Sequence, residues 1–208
     1  MVALPLARAD PAPSSIALDL HGFAVIERNS GPVNYYTLVT DPPSPYIHAA
    51  YRPPYKTAVL GYRIPDPLRR SIAVLRWKWR ARTLPLGGNE CAEGRGDSAA
   101  VVYVTWKRGL KWYSLKYVWS SIGPKGRTCD PKRNLFVAQD TIIVESGAPL
   151  DEWRTVEIDP DAEFRRHFEN GDPKADVPGL VGIGIMSDGD QTGSPSEADY
   201  SDFVIVSR

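Results

Sequence analysis

The stretch "IAVLRWKWRA", residues 72–81, sets Leu75, Trp77 and Trp79 in one phase and Arg76, Lys78 and Arg80 in the other. Successive side chains of a β-strand point to opposite faces, so this is a strand with a dry aromatic face and a wet cationic one. The same period recurs in "KWYSLKYVWS", residues 111–120, where Tyr113, Leu115, Tyr117 and Trp119 oppose Trp112, Ser114, Lys116 and Val118. One face of each strand reads as core. The other carries cations and hydroxyls, and is either a polar binding concavity or the solvated outside of a sheet.

Working outward, short β-type segments separated by turn chemistry follow one another from about residue 15: "SIALDL", "FAVIE", "NYYTLVT", "TAVLGYRI", "AAVVYVTW", "TIIVESG", "WRTVEI", "GLVGIGIM" and "YSDFVIV". Roughly ten strands at this spacing indicate an all-β sandwich or barrel. A single helix is expected near residues 160–170, in "DPDAEFRRHFENG". There Asp159 can cap, Pro160 suits the first helical position, Phe164 and Phe168 share a face, and Gly171 suits the C-terminal end. With 208 residues and no interior linker or repeat, the sequence reads as one domain over 15–208, preceded at 1–14 by a disordered arm or the residual end of a signal peptide.

Charge and composition narrow the partners. Lys plus Arg equals Asp plus Glu at 25 each, so the overall balance recommends neither nucleic acid nor an anionic membrane. The longest apolar runs fall well short of the ~20 residues that span a bilayer. "MVALPLARAD" resembles the tail of a secretory signal, ending in the small-residue pattern Ala7-Arg8-Ala9, though without a basic leading region. That points to a periplasmic or secreted protein, with a cytoplasmic one as the alternative. Cys91 and Cys129 lie in Gly- and charge-rich sequence that reads as loop. In an exported chain such cysteines are expected to pair; in a reduced compartment they are two separate thiols.

The motif inventory is short. "SDGDQTGSPSEAD", residues 187–199, spaces Asp188, Asp190, Thr192 and Asp199 as an EF-type calcium loop spaces its oxygens, with Gly193 at the bend. The twelfth position holds Asp where high-affinity loops have Glu, so affinity is expected at about 10⁻⁴ to 10⁻³ M. The alternative is a hairpin turn, since Asp, Gly, Ser and Pro are what turns are made of. Calcium is thus the one cofactor the sequence suggests. Gly182 and Gly184 share one face of "GLVGIGIM", marking close approach by a ligand or by a bulky neighbour such as Trp119. His21, His48 and His167 are not spaced as metal ligands, and neither Gly-x-Ser-x-Gly nor His-Glu-x-x-His occurs. Were the protein an enzyme, the acid–base candidates are carboxylates near strand ends: Asp97, Glu145, Asp188 and Asp190.

In order along the chain, "LRWKWR", "GDSAAVVYVTW", "LKYVWSS", "IIVESG", "DEWRTVEIDPDAEFRRHF" and "GIGIMSDGDQTGSPSEADYSDFVI" resemble the bacterial family of domains of unknown function numbered 3047, over roughly residues 20–208. The two cysteines and the Pro-rich region 41–56 depart from that pattern. The resemblance implies an exported, antiparallel jelly-roll-like β-sandwich similar to carbohydrate-binding and concanavalin-like domains, with no established activity. The expected function is non-catalytic binding of a polar small molecule or glycan. The candidate ligand face is Arg76, Lys78, Tyr103, Tyr117 and Trp119. A carbohydrate-active or other small-molecule enzyme using paired carboxylates, and a structural envelope protein, are the alternatives.

Overall fold

A computed structural model describes residues 14–26, 34–41 and 43–208, so the expected arm at 1–14 lies outside the described residues except for Ser14. Thirteen strands occur among them: β1 (Ser15–Ala17), β2 (Ala24–Val25), β3 (Tyr36–Val39), β4 (Tyr46–Tyr51), β5 (Leu60–Arg63), β6 (Ile72–Thr83), β7 (Ala100–Arg108), β8 (Lys111–Ser120), β9 (Thr128–Arg133), β10 (Val137–Ser146), β11 (Arg154–Ile158), β12 (Leu180–Met186) and β13 (Ser196–Ser207). They form two sheets. The first runs β11-β6-β13-β4-β3, with β1 also on β13; the second runs β2-β5-β12-β7-β8-β10-β9.

Period-two alternation explains why the sheets stack. Trp77 and Trp79 of β6 point inward with no exposed surface, and meet Tyr117 and Trp119 of β8 at ring-centroid distances of 5.5 and 6.3 Å. Aromatic pairs tilted at these separations add to the burial term that holds the two layers together. The result is the expected jelly-roll-like sandwich, antiparallel at every pairing except one: β8 and β10 run parallel, Trp112 opposite Val137. The chain reaches that arrangement by passing beyond β10's place to the sheet edge as β9, then turning back.

Two strands were hidden in the sequence. β4 lies inside the Pro-rich region; its Ile47, Ala49 and Tyr51 face inward while the prolines stand outside its ends. β9 carries Cys129, which is therefore a buried strand residue and not a loop one. Cys91 and Cys129 form a disulfide, with Cα atoms 5.0 Å apart. The expected helix forms as α1 (Pro160–Phe168). Asp159 accepts the backbone N–H groups of Asp161 and Ala162 at 2.9 and 3.0 Å, and Gly171, at φ +76°, donates to Arg165 O at 2.8 Å. Its buried Phe164 closes one end of the core against Trp106 and Tyr113.

Candidate functional site

The outward phase of the second sheet differs from that of the first. Val102, Val104 and Trp106 of β7 fill the core, so Tyr103, Thr105 and Lys107 face out. On β12 the inward Ile183 and Ile185 leave Gly182 and Gly184 facing out beside them. A side-chain atom at Gly184 would lie 2.8 Å from Val59 and 3.5 Å from Tyr103, so glycine keeps this surface low. The outcome is a groove of about 890 Å³ running across six strands from β2 to β10. Its polar groups include Arg63, Arg69, Thr105, Lys107 and Gln139, and its aromatic ones are Tyr62, Tyr103 and Trp112. Trp112 is 43 % exposed with the Lys107 ammonium 4.6 Å above its ring.

Farther along the same face the chain is covered by the loop between β6 and β7, and there three carboxylates meet. Asp97, Asp188 and Asp190 each offer an oxygen, and these oxygens lie within 4.8 Å of one another. Asp97 is fully buried and accepts the backbone N–H groups of Thr192 at 2.6 Å and Gln191 at 3.3 Å, which pins the 188–195 turn onto that loop. Gly189 is required at the turn, since a Cβ there would sit 2.1 Å from Ser194 O. Burial pushes the Asp188 carboxyl up to about 7; the Lys116 ammonium pulls against this, while Asp97 and Asp190 repel in the same upward direction. The neighbouring Tyr51 phenol is raised to about 12 by burial and by the charges of Asp190, Asp188 and Asp97. Lys116, buried and donating to Gly96 O at 3.2 Å, stands opposite Tyr103 across the β7–β8 ladder and so joins the acidic pocket to the groove.

The structure distributes the sequence-derived candidates unevenly. Asp188 and Asp190 converge, and Asp97 joins them; these are the residues that could hold a hard cation. Asp199 does not join them. The loop ends before Ser196, and Asp199 lies on β13 with no exposed surface, bonded to His48 at 2.6 Å, Arg80 at 2.7 Å and Arg82 at 3.1 Å. Burial would raise its carboxyl, but those hydrogen bonds outweigh it and hold it below the ordinary value. Thr192 reaches the pocket through its backbone N–H, its hydroxyl being bonded to Ser194 at 2.6 Å. Glu145 is elsewhere, ion-paired to Lys125 at 2.6 Å.

Of the candidate ligand face, Tyr103 alone lines the groove. Tyr117 and Trp119 are core residues, because they share the inward phase of Leu115. Arg76 and Lys78 face outward from the first sheet, where they pair with Glu157 at 3.7 Å and Asp202 at 2.8 Å. Nor does Trp119 pack over Gly182 and Gly184, which open to the opposite side of the sheet. The groove residues Thr105, Lys107, Trp112 and Gln139 were overlooked, although the alternation that buries Trp106 and Tyr113 already turns the first three outward.

Fold and groove define a β-sandwich of the jelly-roll class with an open sheet face. The chain belongs to the family described as protein of unknown function, DUF3047, whose model matches residues 32–204. No curated protein matches it in sequence. Among solved structures it is similar to the family 11 carbohydrate-binding module of the cellulosomal cellulase Lic26A-Cel5E of Clostridium thermocellum, at 12 % identity over 94 % of this chain and 88 % of that one, TM-score 0.43. The xyloglucanase domain of NopAA, a type three effector from Sinorhizobium fredii, is 11 % identical over 92 % and 97 %, TM-score 0.49. Endoglucanase 3 of Trichoderma harzianum, from family GH12, is 11 % identical over 96 % and 99 %, TM-score 0.43.

Proposed function

We propose that the protein binds a glycan, without turning it over, in the groove on the outer face of the second sheet. The observation that carries this reading is the groove's composition: a glycine floor at 182 and 184, the aromatic faces of Tyr103 and Trp112, and donors and acceptors from Thr105, Gln139 and Arg63. A sugar ring needs both a flat apolar platform and partners for its hydroxyls, and the groove sets the two side by side. From β2 to β10 the groove crosses five strand spacings, about 24 Å, which suits an extended chain better than a compact metabolite. The disulfide supports an exported protein, in the periplasm or outside the cell, where polysaccharide is met.

Screening the wild-type protein on a glycan array tests this directly. Trp112→Ala is expected to weaken the best ligand by about tenfold, the size of one lost stacking contact, with the fold unchanged because the ring is at the surface. No binding to any glycan, or binding indifferent to Trp112→Ala and Gln139→Ala, would remove the reading. The hydrolase alternative is favoured by one observation, the raised carboxyl of Asp188 beside two other carboxylates. It requires release of reducing ends that Asp188→Asn and Asp190→Asn each abolish.

A further inference from the structure

Four of the nine large apolar side chains most exposed among the described residues crowd one corner of the second sheet. They belong to two turns with nearly the same sequence: "KRGLKW", residues 107–112, between β7 and β8, and "KRNLF", residues 132–136, between β9 and β10. The parallel pairing of β8 and β10 sets the turns side by side, with Trp112 N donating to Phe136 O at 2.8 Å. Leu110 and Leu135 are each 78 % exposed and Phe136 is 55 % exposed. Behind them stand five cations and, within either turn, no carboxylate. Arg108, Lys132 and Arg133 are ion-paired to Glu169, Asp130 and Asp140; Lys107 and Lys111 make no ion pair among the described residues and lie over the Trp112 and Tyr113 rings instead.

We propose that this corner docks on an anionic phospholipid surface. Leu110, Leu135 and Phe136 enter the boundary between headgroups and acyl chains, Trp112 sits at headgroup level, and Lys107 and Lys111 meet the phosphates. Apolar groups carried on turn tips can enter that boundary to a depth of roughly 5–10 Å without dragging the charged body of the sheet after them. Lysines extend their ammonium groups back toward water while their stems follow the apolar residues, and tryptophan favours the interface itself. A stable protein partner would cover roughly 800 Å² on each side, far more than two turn tips offer. The overall charge of zero says nothing of this corner, where Lys107 and Lys111 are the two cations without an ion pair among the described residues.

The test is flotation of the purified, full-length protein with vesicles of equal parts phosphatidylcholine and phosphatidylglycerol, against phosphatidylcholine alone. Wild type is expected to float with the mixed vesicles only, less so as salt rises. Leu110→Ser with Leu135→Ser should cut the partition by tenfold or more, on the order expected from two lost leucine insertions. Lys111→Glu should cut it by about fivefold or more, since each basic residue near such a surface contributes roughly fivefold. These three side chains lie outside the groove, Leu110 and Leu135 exposed and Lys111 half-buried with its ammonium over the Tyr113 ring, so melting temperatures should stay within a few degrees of wild type and glycan binding should be unchanged. Wild type that ignores the mixed vesicles, or floats equally well after the double Leu replacement, overturns the proposal. Self-association without vesicle binding, abolished by the same replacement, would assign the corner to protein contact and overturn it too.

Discussion

Asp188 makes the pH dependence of stability a sharp test of how the acidic pocket is built. Its carboxyl ionises near 3.8 when unfolded and at about 7 in the fold, chiefly because it is buried; the Lys116 ammonium and the Asp190 backbone N–H oppose the rise, while the charges of Asp97 and Asp190 add to it. The folded-state value is raised for an acid, so between about pH 4 and pH 7 the unfolded chain has released a proton that the folded chain keeps. Stability therefore falls as pH rises through that window and stays lower above it. The loss approaches roughly 4 kcal/mol, from about three pKa steps of 1.36 kcal/mol each. Asp188→Asn preserves shape and removes the charge. Urea denaturation in the presence of chelator should give matching stabilities for the two proteins below about pH 4, and a variant more stable by up to about 4 kcal/mol above pH 7. In melting temperature that is on the order of 10 °C for a chain of this length. Calcium at ten to a hundred times its Kd should then restore about 1–3 kcal/mol to the wild type at neutral pH, an increment removed by Asp97→Asn or Asp190→Asn and untouched by Asp199→Asn. Stability curves that run parallel at every pH would mean that Asp188 is solvated or compensated, and the reasoning would fail.

Two further outcomes follow from the core and the disulfide. Trp79→Ala should destabilise by about 3–5 kcal/mol, because Trp79 is wholly buried between Trp77 and Trp119, whereas Trp153→Ala, at a ring 38 % exposed, should cost about 1 kcal/mol or less; denaturant midpoints decide it. Replacing both Cys91 and Cys129 by Ala should cost about 4 kcal/mol, the chain-entropy value for a loop of 38 residues, and two alkylatable thiols in unreduced, natively produced protein would show that the bond is absent.

The sandwich was legible because its signal is local and repeated. Trp77, Trp79, Tyr117 and Trp119 announce their phase within ten-residue windows, and α1 carries both of its end signals in thirteen residues. What escaped was non-local or compositionally masked. β4 reads as Tyr-Ile-His-Ala-Ala-Tyr between prolines, with Ala at one inward position and one outward, so period two is invisible. The parallel β8–β10 pair cannot be seen at all, since it depends on which edge β9 takes. The site failed in part for the same reason. Spacing joined Asp188 and Asp190 to Asp199, eleven residues on, whereas the pairing of β13 with β6 turns Asp199 toward Arg80 and the loop before β7 brings in Asp97 from ninety-one residues away.

The two outer faces also differ in how their charges are matched. On the first sheet, cations and carboxylates satisfy each other in place: Arg76 with Glu157, Lys78 with Asp202, Arg80 and Arg82 with Asp199. The exposed pairs on this face each contribute at most about 1 kcal/mol of stability. On the second sheet, Lys107 makes no ion pair among the described residues and lies over the Trp112 ring, Asp188 bears an unfavourable burial, and Gly182 and Gly184 leave the floor of the face bare. A sequence selected only to fold would relieve these local conflicts, and natural chains retain them chiefly where they serve a ligand. The conflicts on one sheet face, set against the paired charges of the other, are what support the proposed glycan groove on the strands from β2 to β10.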